Sequence, residues 1–343
     1  MTKELSIIVP VYNEINLIEK FIKKLFETFD QTTTKFIFID DGSNDGSKEF
    51  LIENISNCIN SENFELILLN KNYGKGYAIR QGIKKIEGEY VLFLDSDLEY
   101  EPKDGFEIFQ IAKQNKSIDV LYGSRYLGGK IQLRKHFFND IAVRINTYLF
   151  NILFDQSITD LHTGTKLIKS TLIKKLNLSL NRFGFEIDIS SQIAKLHYNI
   201  FEYGISYLER SYAQGKKITF LDGLLSYYFL FKTRFLQNDL QTSFSILYSF
   251  LFMTYAGTFF GMGTGKVLIV IAFMFVGLML GINRKILPLS LVFLGIYFGS
   301  LFSKGNGRIY PILIFFILSF YVSKKILNKY KNKKGSFLLK FFL

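Results

Sequence analysis

Two carboxylates stand one residue apart at Asp95 and Asp97, directly after the apolar run 90–94. A strand that ends in such a pair presents both carboxylates at its tip, beside a loop. Hard divalent cations such as Mg²⁺ or Mn²⁺ bind carboxylate oxygens and bridge them to the phosphates of a substrate. Acidic turns after strands are common, so this pair alone is a weak signal of a metal site. The other polar strand ends of the chain strengthen it.

Short β-rich runs alternate with amphipathic helical segments through the first part of the chain, and this alternation predicts βαβ units with a mainly parallel sheet. Ligands of such sheets bind beyond the carboxyl ends of the strands. Three strand ends are polar, at 12–14, 40–43 and 95–97, and they should converge on one crevice. The predicted strands are 7–11, 36–39, 65–69 and 90–94, and the predicted helices are 17–29, 48–59 and 77–86.

The excess of basic charge lies in the C-terminal third of the chain. The 343 residues carry a formal net charge of +12. Residues 1–235 hold 30 Lys and Arg against 29 Asp and Glu, whereas residues 236–343 hold 12 against one acid, Asp239. Basic charge beside apolar segments is typical of a membrane protein with cytoplasmic flanks, so we expect no nucleic-acid partner.

Four apolar runs follow residue 239. The first, 240–265, contains no charged residue over 26 positions, which is enough to cross a bilayer of about 30 Å. The runs 267–283, 286–303 and 309–323 are shorter and are joined by short loops, which favours two hairpins. With the N-terminal part in the cytosol, nine basic residues fall inside and three outside, in agreement with the positive-inside rule. We predict four spans, with two spans or a buried helical domain as alternatives.

Two further segments, 137–154 and 224–235, mix bulky apolar residues with isolated basic ones, as helices at a headgroup boundary do. An ordinary core helix explains the first equally well. One cysteine, Cys58, excludes an intramolecular disulfide, and no signal peptide is expected before the first strand. We therefore expect a multi-pass protein of the cell inner or plasma membrane with its first domain in the cytoplasm. The predicted parts are a catalytic domain at 1–220, an interfacial amphipathic helix at 221–238, a transmembrane region at 239–325 and a basic cytoplasmic tail at 326–343.

Several motifs resemble those of family 2 glycosyltransferases of the GT-A fold. They are 6–14, 40–47, 72–76 and 95–97. Within that family the chain is similar to polyprenyl-phosphate sugar synthases of the dolichyl-phosphate mannose synthase type, through 123–126, 160–166, 209–210 and 215–218. The resemblance implies an α/β, GT-A nucleotide-diphospho-sugar transferase domain with a mainly parallel central sheet, followed by a C-terminal transmembrane helical region.

The resemblance also implies roles for individual residues on the nucleotide-sugar side. The base and ribose would lie against Pro10, Tyr12, Glu14, Ile39 and Asp41. The metal, Mg²⁺ or Mn²⁺, and the diphosphate would be held by Asp95, Ser96 and Asp97. Relatives often have Gln where this chain has Glu99, which would be a further metal ligand or would point away.

Basic residues are implied to bind the phosphates. Arg125, Arg210 and Lys216 match positions that clamp the donor phosphates. Arg134 lies where relatives bind the lipid phosphate, although the local pattern 133–136 departs from theirs. The sequence 74–76 (Gly-Lys-Gly) echoes a phosphate loop but lacks its spacing, and His162 is more typical of a packing residue than of a ligand.

A phosphate acceptor would simplify the chemistry. A phosphate monoester has a second pKa of about 6 and is largely ionised at pH 7, so it attacks the anomeric carbon without a strong general base. A hydroxyl acceptor would need such a base, and Asp160, Glu186 and Asp188 are the candidates. With a phosphate acceptor, Asp160 would instead position the sugar or a basic neighbour. The residues expected to carry catalysis are Asp95, Asp97, Arg125 and Asp160.

These expectations amount to metal-dependent, inverting transfer of one hexose from a nucleotide sugar to a polyprenyl phosphate. GDP-mannose, UDP-glucose and UDP-N-acetylglucosamine all fit as donors. A processive polysaccharide synthase would use a Q-x-x-R-W motif, which a chain without Trp does not contain. The open alternatives are a membrane transferase with a hydroxyl acceptor and a non-catalytic membrane scaffold. Membrane lipids are expected partners, and a homo-oligomer is left open.

Overall fold

The computed structural model describes residues 3–56, 62–211 and 220–237, together with positions 246, 250, 274 and 276. The chain divides into two units, Met1–Thr233 and Arg234–Leu343, and the features below belong to the first. None of the helices in the described ranges has both the length and the apolar character needed to cross a bilayer. Apart from the isolated positions, the predicted spans and basic tail lie outside the described residues, and so does Lys216.

Strands and helices alternate along the first unit, as the sequence predicts. The strands are β1 (Leu5–Val11), β2 (Thr34–Asp40), β3 (Phe64–Leu68), β4 (Tyr90–Phe93), β5 (Val120–Ser124), β6 (Gln132–Leu133), β7 (Lys166–Lys169), β8 (Phe201–Gly204) and β9 (Tyr207–Leu208). The helices are α1 (Ile15–Thr28), α2 (Ser47–Ser56), α3 (Lys75–Ile83), α4 (Pro102–Gln114), α5 (Phe137–Phe154), α6 (Ser170–Ile173), α7 (Phe185–Lys195) and α8 (Phe220–Phe231).

Seven strands form one sheet in the order β3-β2-β1-β4-β7-β5-β8, and β6 pairs with β9 in a short ribbon. Strand β1 lies between β2 and β4 and is parallel to both. Among the described strands, β7 alone runs antiparallel to its neighbours, β4 and β5. The prediction of a mainly parallel sheet is confirmed. The carboxyl ends of β1, β2 and β4 lie along one edge, together with the start of β7.

The two faces of the sheet are covered by different helices. Ile7 and Val9 of β1 pack in an apolar cluster with side chains of α1 and α4. Ile8, between them, packs in a second cluster with side chains of α3 and α7. All seven residues of β2 are buried, as expected for a strand of a sheet covered on both faces. This packing gives the loops at the sheet edge a rigid base.

Helix boundaries differ from the sequence predictions by a few residues. Helix α3 begins at Lys75, two residues before the predicted start, because Gly74 takes a φ of +92° and turns the chain into the helix. Helix α5 has the predicted bounds, whereas α8 begins at Phe220 and is followed by a π-helical turn at Lys232–Leu236. The interfacial positions expected of α5 and α8 stay predictions.

Candidate active site

Asp41 follows β2 and binds the backbone of the loop that leads into α3. Its carboxylate accepts hydrogen bonds from the backbone N–H groups of Tyr73, at 2.9 Å, and Gly74, at 2.8 Å. The loop comes this close because residue 42 is a glycine with φ of +71°, where a Cβ would clash with the backbone of Lys71. Burial raises the pKa of Asp41, and the two backbone donors oppose that shift. Asp41 therefore organises one wall of the crevice.

The other residues predicted to contact the nucleotide lie around the ends of β1 and β2. The carbonyl oxygen of Pro10 accepts a hydrogen bond from Ser96 Oγ at 3.1 Å, which ties the β1 end to the loop after β4. Tyr12 is half-buried at the start of the following loop. Ile39 is fully buried in the apolar cluster that faces α3. The nucleotide-binding roles of these residues stay predictions.

Lys75, at the start of α3, links two carboxylates from distant parts of the chain. Its Nζ lies 2.8 Å from Asp95, after β4, and 2.8 Å from Glu186, in the first turn of α7. Burial opposes the positive charge, but Asp95 and Glu186 together hold the pKa of Lys75 above its usual value. Lys75 is therefore a permanent cation between the loop after β4 and α7.

Arg210 is a second shared cation, on the other side of Asp97. Its guanidinium lies 2.8 Å from Glu14, 3.0 Å from Asp97 and 3.6 Å from Glu99. Burial opposes its charge, whereas Asp97, Glu14 and Glu99 raise the pKa of Arg210. Lys75 contacts two carboxylates and Arg210 contacts three others, so five carboxylates share two cations. We call these seven side chains the carboxylate cluster: Glu14, Asp95, Asp97, Glu99, Glu186, Lys75 and Arg210.

Burial and the neighbouring negative charges of the carboxylate cluster act together on the pKa of Asp97. Burial, followed by the charges of Glu99 and Asp95, raises the pKa of Asp97 to about 7, against the opposing effect of Arg210. The Asp97 and Asp95 side chains nevertheless keep 20% and 21% of their surface exposed. An additional cation could reach both carboxylates and would relieve their repulsion.

The donor set fits a divalent cation of the kind that takes one or two protein carboxylates and completes its shell with substrate phosphates. Within the described ranges, no three His, Cys, Asp or Glu side chains come together as a metal site on their own. Glu99 in particular is engaged elsewhere, because its carboxylate accepts hydrogen bonds from the Tyr207 hydroxyl and the Arg210 backbone N–H, both at 3.0 Å. Its predicted role as a ligand stays a prediction.

Arg125 and Asp160 form a closed pair at the end of β5. Two guanidinium nitrogens of Arg125 donate to the two carboxylate oxygens of Asp160, each at 2.7 Å, and the Arg125 backbone N–H donates at 3.1 Å. The Asp160 side chain is fully buried. Burial opposes ionisation, but the Arg125 charge and hydrogen bonds hold the pKa of Asp160 below its usual value. Asp160 thus pairs with a basic neighbour, and its role in the reaction stays a prediction.

A buried lysine supports the loop that carries Asp160. Lys166, the first residue of β7, donates from Nζ to the carbonyl oxygens of Leu161, at 3.0 Å, and Thr163, at 2.8 Å. Burial lowers the pKa of Lys166 to about 7. In the same loop, burial lowers the pKa of His162 to about 3, so its imidazole is neutral. Lys166 therefore holds the loop through its backbone.

Arg134 lies at the outer side of this pair, next to the start of α5. Its guanidinium donates to Gln132 Oε1 at 2.6 Å and to the carbonyl oxygen of Arg125, and it lies 4.5 Å from the centre of the Tyr126 ring. Arg144 lies 4.4 Å from the same ring. Two basic side chains thus flank Tyr126 near the exposed face of α5. The lipid-phosphate role of Arg134 stays a prediction.

Sequence reasoning missed two members of the carboxylate cluster in the roles they have. The motif 72–76 is one of those that carry the family resemblance, but the sequence assigns no role to Lys75, and Glu186 is a candidate only as a base for a hydroxyl acceptor. A lysine between two glycines, after a strand and at the start of a helix, was the available signal for Lys75. Glu186 gave no such signal, because its partner lies more than a hundred residues earlier in the chain.

A mainly parallel α/β sheet with a carboxylate-rich crevice beyond its strand ends defines a GT-A-like transferase fold. Residues 6–176 match the family described as glycosyl transferase family 2. This part of the chain is therefore a family 2 glycosyltransferase domain, as its motifs predicted.

Known relatives support the same class. An undecaprenyl-phosphate 4-deoxy-4-formamido-L-arabinose transferase from Photorhabdus laumondii is 31% identical over 118 residues, which are 34% of this chain and 36% of that relative. The match thus spans about a third of the curated relative. Glucosyl-3-phosphoglycerate synthase of Mycobacterium tuberculosis, in complex with UDP, is similar in structure with a TM-score of 0.53 at 15% identity, over 67% of this chain and 80% of that chain.

The same mycobacterial enzyme with Mn²⁺, UDP and glucosyl-3-phosphoglycerate gives a TM-score of 0.51 at 16% identity, over 68% of this chain and 80% of that chain. At this level of identity the structural likeness establishes the fold alone.

Proposed function

We propose that the protein transfers a single hexose from a nucleotide sugar of the GDP-mannose or UDP-glucose type to a polyprenyl phosphate at the cytoplasmic face of a membrane. The observation that carries the proposal is the carboxylate cluster, in which five carboxylates share two cations at the ligand-binding edge of the sheet. Such an excess of negative charge is suited to a divalent cation that accompanies a diphosphate.

On the donor side, Asp95 and Asp97 would hold Mg²⁺ or Mn²⁺. The metal would stabilise the negative charge that develops on the leaving nucleoside diphosphate. Arg210 lies within the same cluster and is the nearest fixed cation to Asp97, at 3.0 Å. It would share in binding the diphosphate, because a guanidinium matches phosphate oxygens in geometry and charge.

On the acceptor side, the hydrogen bonds of the candidate bases favour a phosphate over a hydroxyl group. Asp160 is occupied by Arg125 on both oxygens. Asp188 accepts hydrogen bonds from the backbone N–H groups of Ser179 and Leu180 on one oxygen and from Gln192 on the other. Neither of these two carboxylates is free to take a proton from an acceptor. Glu186, the third candidate, keeps one oxygen unpaired among the described residues and would be the base if the acceptor were a hydroxyl group. A phosphate that is already ionised needs no such base, and direct displacement would invert the anomeric centre.

A membrane-bound acceptor agrees with the surface around Arg134. Along α5 the exposed large apolar side chains recur at helical spacing, and the adjacent ribbon adds two more. They are Phe137, Phe138, Ile145, Tyr148 and Ile152 of α5, with Ile131 and Leu133 beside them. Arg134 and Arg144 lie at the border of this apolar face, an arrangement suited to lipid tails with anionic headgroups. The apolar runs after residue 239 support an integral membrane protein.

The test uses the full-length protein in detergent with undecaprenyl phosphate and Mn²⁺. GDP-mannose, UDP-glucose and UDP-N-acetylglucosamine, each labelled in the sugar, are supplied in turn. We expect label to enter the organic phase with one donor, and to fall to background in Asp97→Ala. Asp119→Ala is the matched control, because Asp119 pairs with Lys169 outside the crevice. It should keep full transfer.

Other outcomes separate the alternatives. Transfer to added hydroxyl acceptors but never to the lipid phosphate would support the hydroxyl-acceptor alternative. A protein that binds no nucleotide sugar, with or without metal, would be the non-catalytic scaffold. The cytoplasmic orientation predicts that sealed inside-out vesicles consume donor added outside without being permeabilised.

A further inference from the structure

One buried oxygen of the carboxylate cluster has no hydrogen-bond partner among the described residues. Glu186 is 3% exposed in the first turn of α7. Its Oε1 pairs with Lys75 at 2.8 Å, whereas its Oε2 is buried and makes no hydrogen bond to any described residue. Buried acceptors are normally satisfied, because an unsatisfied one loses its hydration without compensation. The unpaired oxygen of Glu186 is therefore a candidate contact for a bound ligand.

The position of Glu186 indicates which part of a ligand would reach it. Lys75 contacts both Asp95 and Glu186 at 2.8 Å. Glu186 is therefore separated only by the Lys75 ammonium group from Asp95, which is expected to help hold the metal and diphosphate. Next to a diphosphate bound at Asp95 comes the sugar that is to be transferred. Sugar hydroxyl groups are neutral donors, and a carboxylate oxygen accepts hydrogen bonds from them.

The neighbouring carboxylates do not offer the same contact. Asp188, half a turn further along α7, has both oxygens engaged by Ser179, Leu180 and Gln192. Asp160 has both oxygens engaged by Arg125. Of the three acids that the sequence singled out as candidate bases, Glu186 alone therefore has an unpaired buried oxygen within the described part of the chain.

We propose that Glu186 is a specificity-determining residue that accepts a hydrogen bond from one hydroxyl group of the transferred sugar, and that Lys75 is the positioning residue that orients it. This inference rests on the proposed function and extends it to the choice of sugar. A site built around a hydroxyl group rejects a sugar that lacks it, because the buried acceptor is then left unpaired. The chain would therefore discriminate among donors that share a nucleotide.

The test is a comparison of nucleotide sugar with bare nucleotide by isothermal titration calorimetry on the full chain in detergent with Mn²⁺. The probes are UDP-glucose, UDP-N-acetylglucosamine and UDP, with GDP-mannose and GDP. In Glu186→Ala we expect the affinity for the preferred nucleotide sugar to fall about 10- to 100-fold, as for a lost hydrogen bond to a charged group. The affinity for the bare nucleotide should change by less than about twofold.

Two variants keep this measurement interpretable. Glu186→Gln preserves the shape of the side chain and should weaken nucleotide-sugar binding selectively even where the alanine variant fails to fold. Asp188→Asn is the matched control on the same helix, because both oxygens of its carboxylate are engaged by Ser179, Leu180 and Gln192. It should change the affinities for nucleotide sugar and nucleotide by equal factors, whatever it does to thermal stability.

A second series identifies the hydroxyl group. The preferred donor is compared with analogues that each lack one sugar hydroxyl. The wild-type protein should discriminate against one analogue about as strongly as Glu186→Ala weakens the intact donor, and the variant should no longer discriminate against that analogue. Equal weakening of sugar nucleotide and bare nucleotide by Glu186→Ala would overturn the inference and leave the proposed function standing. Failure of the wild-type protein to bind any nucleotide sugar would instead refute the proposed function.

Discussion

The carboxylate cluster and the Arg125–Asp160 pair lie on the same edge of the sheet but differ in how their charges are balanced. In the pair, one guanidinium meets one fully buried carboxylate through two hydrogen bonds of 2.7 Å. In the cluster, each cation is divided between two or three carboxylates, and Asp95 and Asp97 keep about a fifth of their side-chain surface exposed. The pair is complete by itself, whereas the cluster is left negative and open to a further cation.

The largest effect on stability is expected when Arg125, the basic partner of the pair, is replaced. Arg125→Met leaves the buried Asp160 carboxylate without its partner, which is expected to lower the free energy of unfolding by about 3–5 kcal/mol. Urea denaturation at neutral pH measures it. Arg144→Met is the control, because Arg144 is 55% exposed in its pair with Asp140 and should lose less than about 1 kcal/mol. Equal losses of unfolding free energy in the two variants would contradict the prediction that the buried pair stabilises the fold.

An intermediate effect is expected from Lys166, which supports the loop of the pair. Its folded pKa of about 7 lies below the ordinary value of 10.5. Between these pH values the unfolded chain holds a proton that the native state has lost, so stability should rise with pH, by up to about 1.4 kcal/mol per pH unit. Lys166→Met should flatten this rise. Parallel stability–pH curves for the two proteins, from urea denaturation between pH 7 and pH 10, would contradict the prediction.

The smallest effect, and one of opposite sign, is expected in the carboxylate cluster. Asp97→Asn removes a charge that is repelled by Glu99 and Asp95, while Arg210 keeps its contact with Glu14 at 2.8 Å. In EDTA at pH 8 the variant should be as stable as the wild-type protein or more stable by up to about 1 kcal/mol. A loss of more than about 2 kcal/mol would place Asp97 among the structural ion pairs instead.

The mainly parallel sheet and the convergence of its polar strand ends on one crevice were predictable from the sequence. Apolar runs that alternate with amphipathic helices define a parallel sheet, and the polar residues that follow β1, β2 and β4 must then lie at one edge. This logic placed Asp41, Asp95 and Asp97 on the crevice. For Asp160 the expectation left two roles open, positioning the sugar or a basic neighbour, and it did not identify Arg125 as a partner.

The partners within the site were not predictable, because they join residues far apart in sequence. Lys75 meets Asp95 across 20 residues, and Arg210 meets Glu14 across 196 residues. A strand pattern predicts where in the sheet a side chain lies, but it does not predict which oppositely charged side chain it will contact. Glu99 illustrates the same limit, since its carboxylate is turned toward Tyr207 and the Arg210 backbone by the β6–β9 ribbon.

The reversed strand β7 closes a long excursion of the chain onto a neighbouring strand of the sheet. The excursion that holds Arg125, Arg134, α5 and Asp160 leaves the sheet after β5 and returns on β7, and Tyr122 and Lys166 at its base are paired in register. Both anchor points are therefore hydrogen-bonded neighbours, and loop closure becomes only about 0.6 kcal/mol less favourable for each doubling of loop length. The excursion can therefore vary in length at a small cost in loop closure while its two ends stay paired in the sheet.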